Sequence, residues 1–188
     1  RIHNVLAQYR ILDNTIIIIT ADHGEELVDH GHVGHASTAL TSRHFDEHLH
    51  IPLVILAPKV IREGRVIDTM VQQVDILPTV FDMMDWDIPE TVQGRSLLPA
   101  IKGQSMDDIP VYAESVEGGY QSKPKQQSTF IRSVRTRNWK LIAHSSPAGE
   151  DFSLYNVKED PGEQTNVFHQ ESVTSGELIG LLRNWISQ

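Results

Sequence analysis

The chain has 188 residues, of which 39% are hydrophobic and 22% charged, enough for one ordinary domain or two small ones. Its net charge of −9 argues against a nucleic-acid backbone as the main partner, although a bound cation would still admit an anionic substrate. Cysteine is absent, which excludes a disulfide, a zinc–thiolate site and a Cys nucleophile within the chain. No apolar run is long enough to predict a membrane span, and the compartment stays open.

The first half of the chain predicts the strand–helix alternation of an α/β fold. It opens at Arg1 inside an amphipathic helical pattern, so we expect a piece of a longer protein. The predicted elements are a helix over 2–11, a buried parallel strand over 15–20, a short helix over 40–48, a second buried strand over 50–56, a short strand over 66–70 and a helix over 74–84.

After about residue 108 the pattern changes to short strands separated by turn-rich loops. We predict strands over 111–115, 130–135, 140–144 and 152–157, a polar loop over 118–128, and a closing helix marked by Leu178, Leu182 and Trp185. The sequence therefore predicts two domains, an α/β sheet domain over 1–108 and a small antiparallel α+β subdomain over 109–188.

Asp22 and His23 stand together where the predicted strand over 15–20 ends, and Gly24 permits a sharp turn after them. Carboxylate and imidazole are ligands for a divalent cation, with Mn, Zn, Mg and Ca all possible and oxygen-rich completion favouring Ca or Mg. The competing interpretation, at about even odds, is that Asp22 caps a helix beginning at Gly24.

Seven of the ten histidines fall between His23 and His50. We predict that His30 and His32 are solvated loop residues, whereas His35, beside Gly34, is a candidate to ligate a metal, donate a proton or hydrogen-bond an anion. We predict that His44, His48 and His50 are surface or packing residues. Asp75 and Arg95 are predicted to hold a helix cap and a turn rather than form a catalytic pair. The patterns of these residues alone do not choose between ligation, proton transfer and anion binding by His35.

Several segments in fixed order resemble the sulfatase family of the alkaline phosphatase superfamily. Residues Asp13-Asn-Thr-Ile-Ile-Ile-Ile-Thr-Ala-Asp-His-Gly-Glu25 resemble the metal-binding strand of that family. The likeness continues through His30-Gly31 and Gly34-His35. The remaining matching segments are 45–55, 74–79, 94–99, 134–142 and 154–166. The likeness covers nearly the whole chain and implies the C-terminal portion of an alkaline-phosphatase-like fold.

This resemblance implies roles for three residues. Asp22 and His23 would ligate a divalent cation, calcium before manganese, magnesium or zinc, and His35 would contact the charged oxygens of the ester or assist the leaving group. The implied activity is hydrolysis of a sulfuric ester. Phosphoric-ester or phosphonate hydrolysis, or phosphoglycerol transfer, is the alternative within the superfamily, and a non-catalytic scaffold is a third hypothesis from another class.

One departure from the family is large. The family nucleophile lies in a Cys/Ser-x-Pro-x-Arg pattern upstream, which this sequence lacks. We therefore expect this chain to be inactive alone. A sheet that has lost strands exposes its edges, so we also expect self-association or a partner chain that supplies the missing half.

Overall fold

A computed structural model describes residues 1–31, 33–34, 43–116 and 129–188. The chain divides into two compact units: unit 1 contains Arg1–Ala21 and Pro52–Ile109, and unit 2 contains Asp22–Ile51 and Pro110–Gln188. The grouping places Asp22–Ile51 with the C-terminal residues, whereas the sequence-based division at 108 had placed that segment in the first domain. None of the helices in the described ranges is both long and apolar enough to cross a bilayer.

The described elements follow one another as short helices and strands. In chain order they are α1 (Ile2–Gln8), a 3-10 turn (Leu12–Asn14), β1 (Ile17–Thr20), β2 (Glu26–Leu27), β3 (Val33–Gly34), α2 (Asp46–Leu49), β4 (Leu53–Leu56), a second 3-10 turn (Gln73–Asp75), α3 (Ile76–Met83), α4 (Leu98–Ile101), β5 (Val111–Val116), β6 (Phe130–Arg135), β7 (Lys140–Ser146), β8 (Gly149–Tyr155) and α5 (Ser172–Ile186).

In unit 1, β1 pairs with β4 in an antiparallel two-stranded sheet, with Ile19 opposite Val54. The prediction that 15–20 forms a buried parallel strand is therefore wrong. Val54 and Ile19 are more than half exposed, whereas Leu53 and Ile55 pack against the α4 core. An apolar run does not distinguish a strand covered on both faces from one covered on a single face.

The core of unit 1 lies around α4, where Leu97, Leu98 and Ile101 are buried. α3 begins as predicted, with Pro78 in its first turn, where the missing N–H costs no helical hydrogen bond. The predicted strand over 66–70 does not form. The backbone N–H of Met70 donates to the Asp108 side chain, so its partner is a carboxylate rather than a neighbouring strand.

Unit 2 contains the predicted antiparallel subdomain. β5, β6, β7 and β8 pair in sequence order as an antiparallel meander. α5 covers one face of it, where Leu178 and Leu182 pack against Val134, Leu141 and Leu154. The antiparallel α+β prediction for the C-terminal part is confirmed in these elements. The predicted loop over 118–128 lies outside the described residues.

The segment that precedes this subdomain in the chain adds the two-residue β2–β3 pairing and the short helix α2 to unit 2. The predicted helix over 40–48 is shorter, since α2 begins at Asp46, and residues 40–42 lie outside the described residues. The last turn of α2 contacts the chain just after Asp22 and His23, since the carbonyl oxygen of His48 accepts the N–H of Gly24.

Candidate functional site

The Asp22–His23 turn follows β1 after a single residue, Ala21. No helix begins at Gly24, and β2 begins at Glu26, so the interpretation of Asp22 as a helix cap is wrong. Asp22 instead accepts a hydrogen bond at Oδ1 from the backbone N–H of His23, at 3.0 Å. This bond folds the carboxylate back over the turn.

The imidazole of His23 is held in an orientation suited to ligation. Its Nδ1 lies 2.8 Å from the carbonyl oxygen of Gly24. Because a carbonyl oxygen can only accept, Nδ1 carries a proton, and Nε2 is the ring nitrogen through which this imidazole could ligate a metal ion. Nε2 lies 3.7 Å from Oδ2 of Asp22, and the side chains of His23 and Asp22 are 45% and 89% exposed. An imidazole nitrogen and a carboxylate oxygen thus lie together at a solvent-exposed turn.

Gly24 fixes the position of this turn on α2. Its N–H donates to the carbonyl oxygen of His48 at 2.8 Å, and a Cβ at Gly24 would overlap the carbonyl oxygen of Glu47. The φ angle of Gly24 lies outside the left-handed region. Glycine is required here for the close approach of two backbones, and not for the sharp turn that the sequence suggested.

The donor set around this turn is partial. Among the described residues, no group of three or more His, Cys, Asp or Glu side chains could hold a metal ion. His35 and His32 lie outside the described residues, so the structure does not relate either side chain to Asp22. Two donors of the expected kind, with the imidazole oriented through its other nitrogen, fit a divalent cation that takes its remaining ligands elsewhere.

His30 is not a solvated loop residue, and that prediction is wrong. Its ring stacks on Phe45 at 3.7 Å between centroids, and its Nε2 lies 3.0 Å from the carbonyl oxygen of Gly162. Its side chain is only 9% exposed. His30 therefore ties the loop that follows the Asp22–His23 turn to the segment that follows β8.

The next three histidines divide between packing and surface, as predicted. His44 is buried, with Nδ1 3.0 Å from the hydroxyl oxygen of Ser133 and Nε2 3.0 Å from that of Ser115. Burial, with repulsion from Lys140, His144 and His48, lowers the pKa of His44 to about 3. His48 is buried and His50 is exposed. His44 is thus a neutral hydrogen-bonding residue of the interior.

The sequence analysis did not identify a buried ion-pair network that holds α2. Lys140 is fully buried, and its Nζ lies 2.7 Å from Oδ1 of Asp46 and 2.9 Å from Oε1 of Glu163. Burial would raise the pKa of Asp46, but Lys140 and then Arg135 lower it overall. Burial raises the pKa of Glu163 against the attraction of Lys140. A lysine at the start of the apolar run Lys140-Leu-Ile-Ala143 was the available signal.

Asp75 and Arg95, in unit 1, have the structural role that was predicted. Asp75 is fully buried and accepts hydrogen bonds from the backbone N–H groups of Gln72, at 2.9 Å, and Arg95, at 2.9 Å. The guanidinium of Arg95 donates to the carbonyl oxygens of Asp107 and Met70. The Asp75 side chain thus satisfies backbone N–H groups before α3 and in the turn before α4, and the Arg95 side chain satisfies two backbone carbonyls.

Comparison with known proteins places these features in a family. The family model described as N-sulphoglucosamine sulphohydrolase, C-terminal, matches residues 42–185. An N-acetylglucosamine-6-O-sulfatase of Bacteroides thetaiotaomicron is 30% identical over 169 residues, which is 89% of this chain and 29% of the relative. The chain therefore spans about a third of the length of such relatives.

Solved structures agree over nearly the whole chain. One, of a protein in complex with its substrate D-glucosamine-2-N,6-O-disulfate, has a TM-score of 0.78 and 28% identity over 98% of this chain and 36% of that one. A phosphonate monoester hydrolase from Silicibacter pomeroyi has a TM-score of 0.75 and 25% identity over 100% of this chain and 37% of that one. The fold prediction of an alkaline-phosphatase-like α/β protein is confirmed.

Proposed function

Because this chain belongs to the sulfatase family, in the alkaline phosphatase superfamily, we propose that it forms part of a metal-dependent sulfuric-ester hydrolase. The observation that carries the proposal is the orientation of His23, whose Nδ1 is committed to the Gly24 carbonyl while Nε2 faces the Asp22 carboxylate. A scaffold that had lost catalysis would gain nothing from holding a solvated imidazole in this way. A non-catalytic scaffold is therefore the least supported of the three hypotheses.

Asp22 and His23 are proposed as two ligands of one divalent cation, calcium first, with manganese, magnesium or zinc as alternatives. Calcium prefers oxygen ligands, so this choice requires the remaining ligands to be mainly carboxylates, carbonyls or water. When bound, the cation would offset negative charge on the non-bridging oxygens of the ester. The role proposed for this chain is to hold the Asp22 carboxylate oxygens and Nε2 of His23 in a fixed relation.

His35 is proposed to contact the charged oxygens of the ester or to assist the leaving group. The support is its match to the family motif and its position in the sequence directly after Gly34. A sulfate ester carries a negative charge at neutral pH, and an imidazolium can donate a hydrogen bond to it. Sulfated sugars are the substrate class that the relatives suggest, since one acts on N-acetylglucosamine 6-O-sulfate groups by its name and another binds a disulfated glucosamine.

The metal proposal is tested on the chain itself, with Mn²⁺ as the probe. In a ¹⁵N-histidine-labelled sample, substoichiometric Mn²⁺ is expected to broaden the ring resonances of His23 selectively, and Ca²⁺ should compete. Asp22→Asn should weaken the effect, whereas Glu159→Gln, a change at a side chain that is 71% exposed, should not. Equal broadening of His23 and the exposed His50, or no response to Asp22→Asn, would contradict the assignment.

The chain is also proposed to be inactive alone, since it contains no cysteine and two metal donors at most are brought together in its described residues. The test is turnover of an aryl sulfate and of an aryl phosphonate by the purified 188-residue chain. No turnover above a heat-denatured sample is expected. Measurable, metal-dependent turnover would refute the proposal.

The second candidate function is hydrolysis of a phosphoric or phosphonic ester, or phosphoglycerol transfer. One observation favours it, the structural likeness to a phosphonate monoester hydrolase. In the two-metal branch of the superfamily, His35 would be a third metal ligand. Elemental analysis of the intact enzyme separates the two: a single metal ion per active site favours the sulfatase, and two favour the phosphoester enzyme.

Self-association, or pairing with another chain, is proposed for the β1–β4 sheet of unit 1. Two strands alone are marginally stable, and one face carries Ile19, Val54 and Leu56, which are 58%, 53% and 38% exposed. Sedimentation velocity should detect assemblies. Val54→Lys should shift these assemblies towards monomer, whereas Leu27→Lys, at an exposed leucine outside the β1–β4 sheet, should not. A monomeric wild type would contradict the proposal.

A further inference from the structure

We infer that Lys140 is a positioning residue for the Asp22–His23 turn, acting through Asp46 and α2. The inference deepens the proposed function and rests on it, because it concerns the ligand pair of the proposed metal site. It does not concern the ester or the nucleophile. A continuous path of contacts within unit 2 leads from β7 to α2 and from α2 to Gly24.

The first part of the path joins β7 to α2. The Nζ of Lys140 bonds Oδ1 of Asp46, the first residue of α2, at 2.7 Å. Glu163 completes a three-way contact, since its Oε2 lies 3.1 Å from the same Nζ and accepts the backbone N–H of Asp46 at 2.6 Å. Both the side chain and the main chain of Asp46 are thereby fixed to residues that follow it by 94 and 117 positions.

The second part joins α2 to the turn. The carbonyl oxygen of His48 accepts the N–H of Gly24 at 2.8 Å, and the backbone at Glu47 leaves no room for a Cβ there. Since the carbonyl of Gly24 in turn holds Nδ1 of His23, a displacement of α2 moves the groups that set the tautomer and direction of the imidazole.

A second contact links the segment after the Asp22–His23 turn to the neighbourhood of Glu163. His30, eight positions after Asp22, bonds the carbonyl oxygen of Gly162, and Gly162 precedes Glu163 in the chain. Glu163 and His44 have φ angles of +51° and +48°, a region that costs L-residues energy and persists only where the surroundings determine it. The ion-pair network therefore lies in a part of unit 2 whose backbone is held against its local preference.

A role in stability alone accounts poorly for this network. Lys140 and Glu163 are fully buried and Asp46 is partly buried, and an apolar set that replaces a buried ion pair is often as stable or more so. An ion pair adds orientation, because the three N–H donors of Nζ restrict where both carboxylates can lie. The element that the network holds in place is α2, whose backbone contacts Gly24.

The test compares Lys140→Met with Leu154→Ala in the full 188-residue chain. Both alter fully buried side chains in the β5–β8 sheet, but Leu154 lies in the α5 core rather than in the network. Without metal, ¹⁵N ring shifts should show His23 as the Nδ1–H tautomer in wild type and Leu154→Ala. Lys140→Met should give a mixture of tautomers, and its Mn²⁺ titration of His23 should need roughly tenfold more metal.

A second variant keeps the test decisive where Lys140→Met fails to fold. Asp46→Asn retains the side-chain size at a position that is 22% exposed, and should move the His23 tautomer in the same direction. An unchanged His23 tautomer in a folded Lys140→Met or Asp46→Asn chain overturns the inference, as does an equal change in Leu154→Ala. The tautomer readout requires no metal, so a failure of the proposed metal site alone would appear instead as a wild type that does not respond to Mn²⁺.

Discussion

His44 makes the stability of unit 2 depend on pH in a direction that the structure fixes. Its neutral imidazole lies between the hydroxyls of Ser115 and Ser133, and its pKa falls to about 3 from the 6.5 of an exposed histidine. Between those two pH values, His44 is therefore protonated in the unfolded chain and neutral in the folded chain. The free energy of unfolding must then decrease as the pH falls through this window.

The magnitude follows from the two pKa values. At pH 7.5 both states are neutral at this position, so His44 contributes almost nothing to the pH dependence. At pH 5 the unfolded imidazole is largely protonated and the folded one is not, which corresponds to a loss of about 2 kcal/mol. The lowered pKa of Asp46 acts below about pH 4, since it shifts down from the ordinary carboxyl value, and does not enter this comparison.

The assay is urea unfolding at pH 7.5, 6 and 5, monitored by the fluorescence of Trp139 and Trp185 in a Trp86→Phe background. Both remaining tryptophans belong to unit 2. His44→Gln is the matched variant, because an amide can donate and accept towards two hydroxyls but does not titrate. It keeps His144, whose pKa burial also lowers, so the difference between the two chains isolates His44.

Between pH 7.5 and pH 5, the free energy of unfolding of the wild type should fall by about 2 kcal/mol more than that of His44→Gln. Equal losses would show that His44 is not held neutral in the folded chain. A larger loss in His44→Gln would reverse the sign and refute the reasoning altogether.

Three further predictions concern other parts of the structure. Gly24→Ala should weaken Mn²⁺ broadening of His23 about tenfold or more, because the added Cβ would overlap the α2 backbone; unchanged broadening would contradict the close approach. Asp75→Ala should lower the free energy of unfolding of unit 1 by about 2–4 kcal/mol in urea titrations, since two buried N–H groups lose their acceptor; a change below about 0.5 kcal/mol would argue against that role. Leu154→Ala should cost about 3 kcal/mol in thermal unfolding, and Leu27→Ala, 70% exposed, under about 0.5; similar costs would contradict the assigned core.

The sequence predicted the strands of unit 2 well because their alternation is local. The register of β6 and β7 brings inward residues such as Val134 and Leu141 together, and such alternation is readable from the chain. The direction and burial of β1 were not readable, since they depend on which strand pairs with it and on what covers each face. Pairing of this kind is a tertiary choice that local propensity does not encode.

The sequence suggested Asp22 and His23 as metal ligands, which stays a prediction, but did not reveal the contacts that hold their turn. Asp22 and His23 stood out because two polar side chains follow an apolar run. His30 was misassigned because its partners, Phe45 and the Gly162 carbonyl, are distant in sequence. Lys140 stood at the start of an apolar run, but its carboxylate partners Asp46 and Glu163 are distant in sequence, so the network was not predicted.

The separation of these contacts along the chain has a consequence for folding order. The hairpins from β5 to β8 close over short distances and form without long loop closure, whereas the contacts to α2 and His30 span 94 to 132 residues. The segment 22–51 should therefore dock late onto a meander that is already assembled. In native-state hydrogen exchange its amides should open in a separate, lower-energy event than those of β6 and β7. The Asp22–His23 turn, which lies on this segment, would then lose its geometry before the meander does under mild destabilisation.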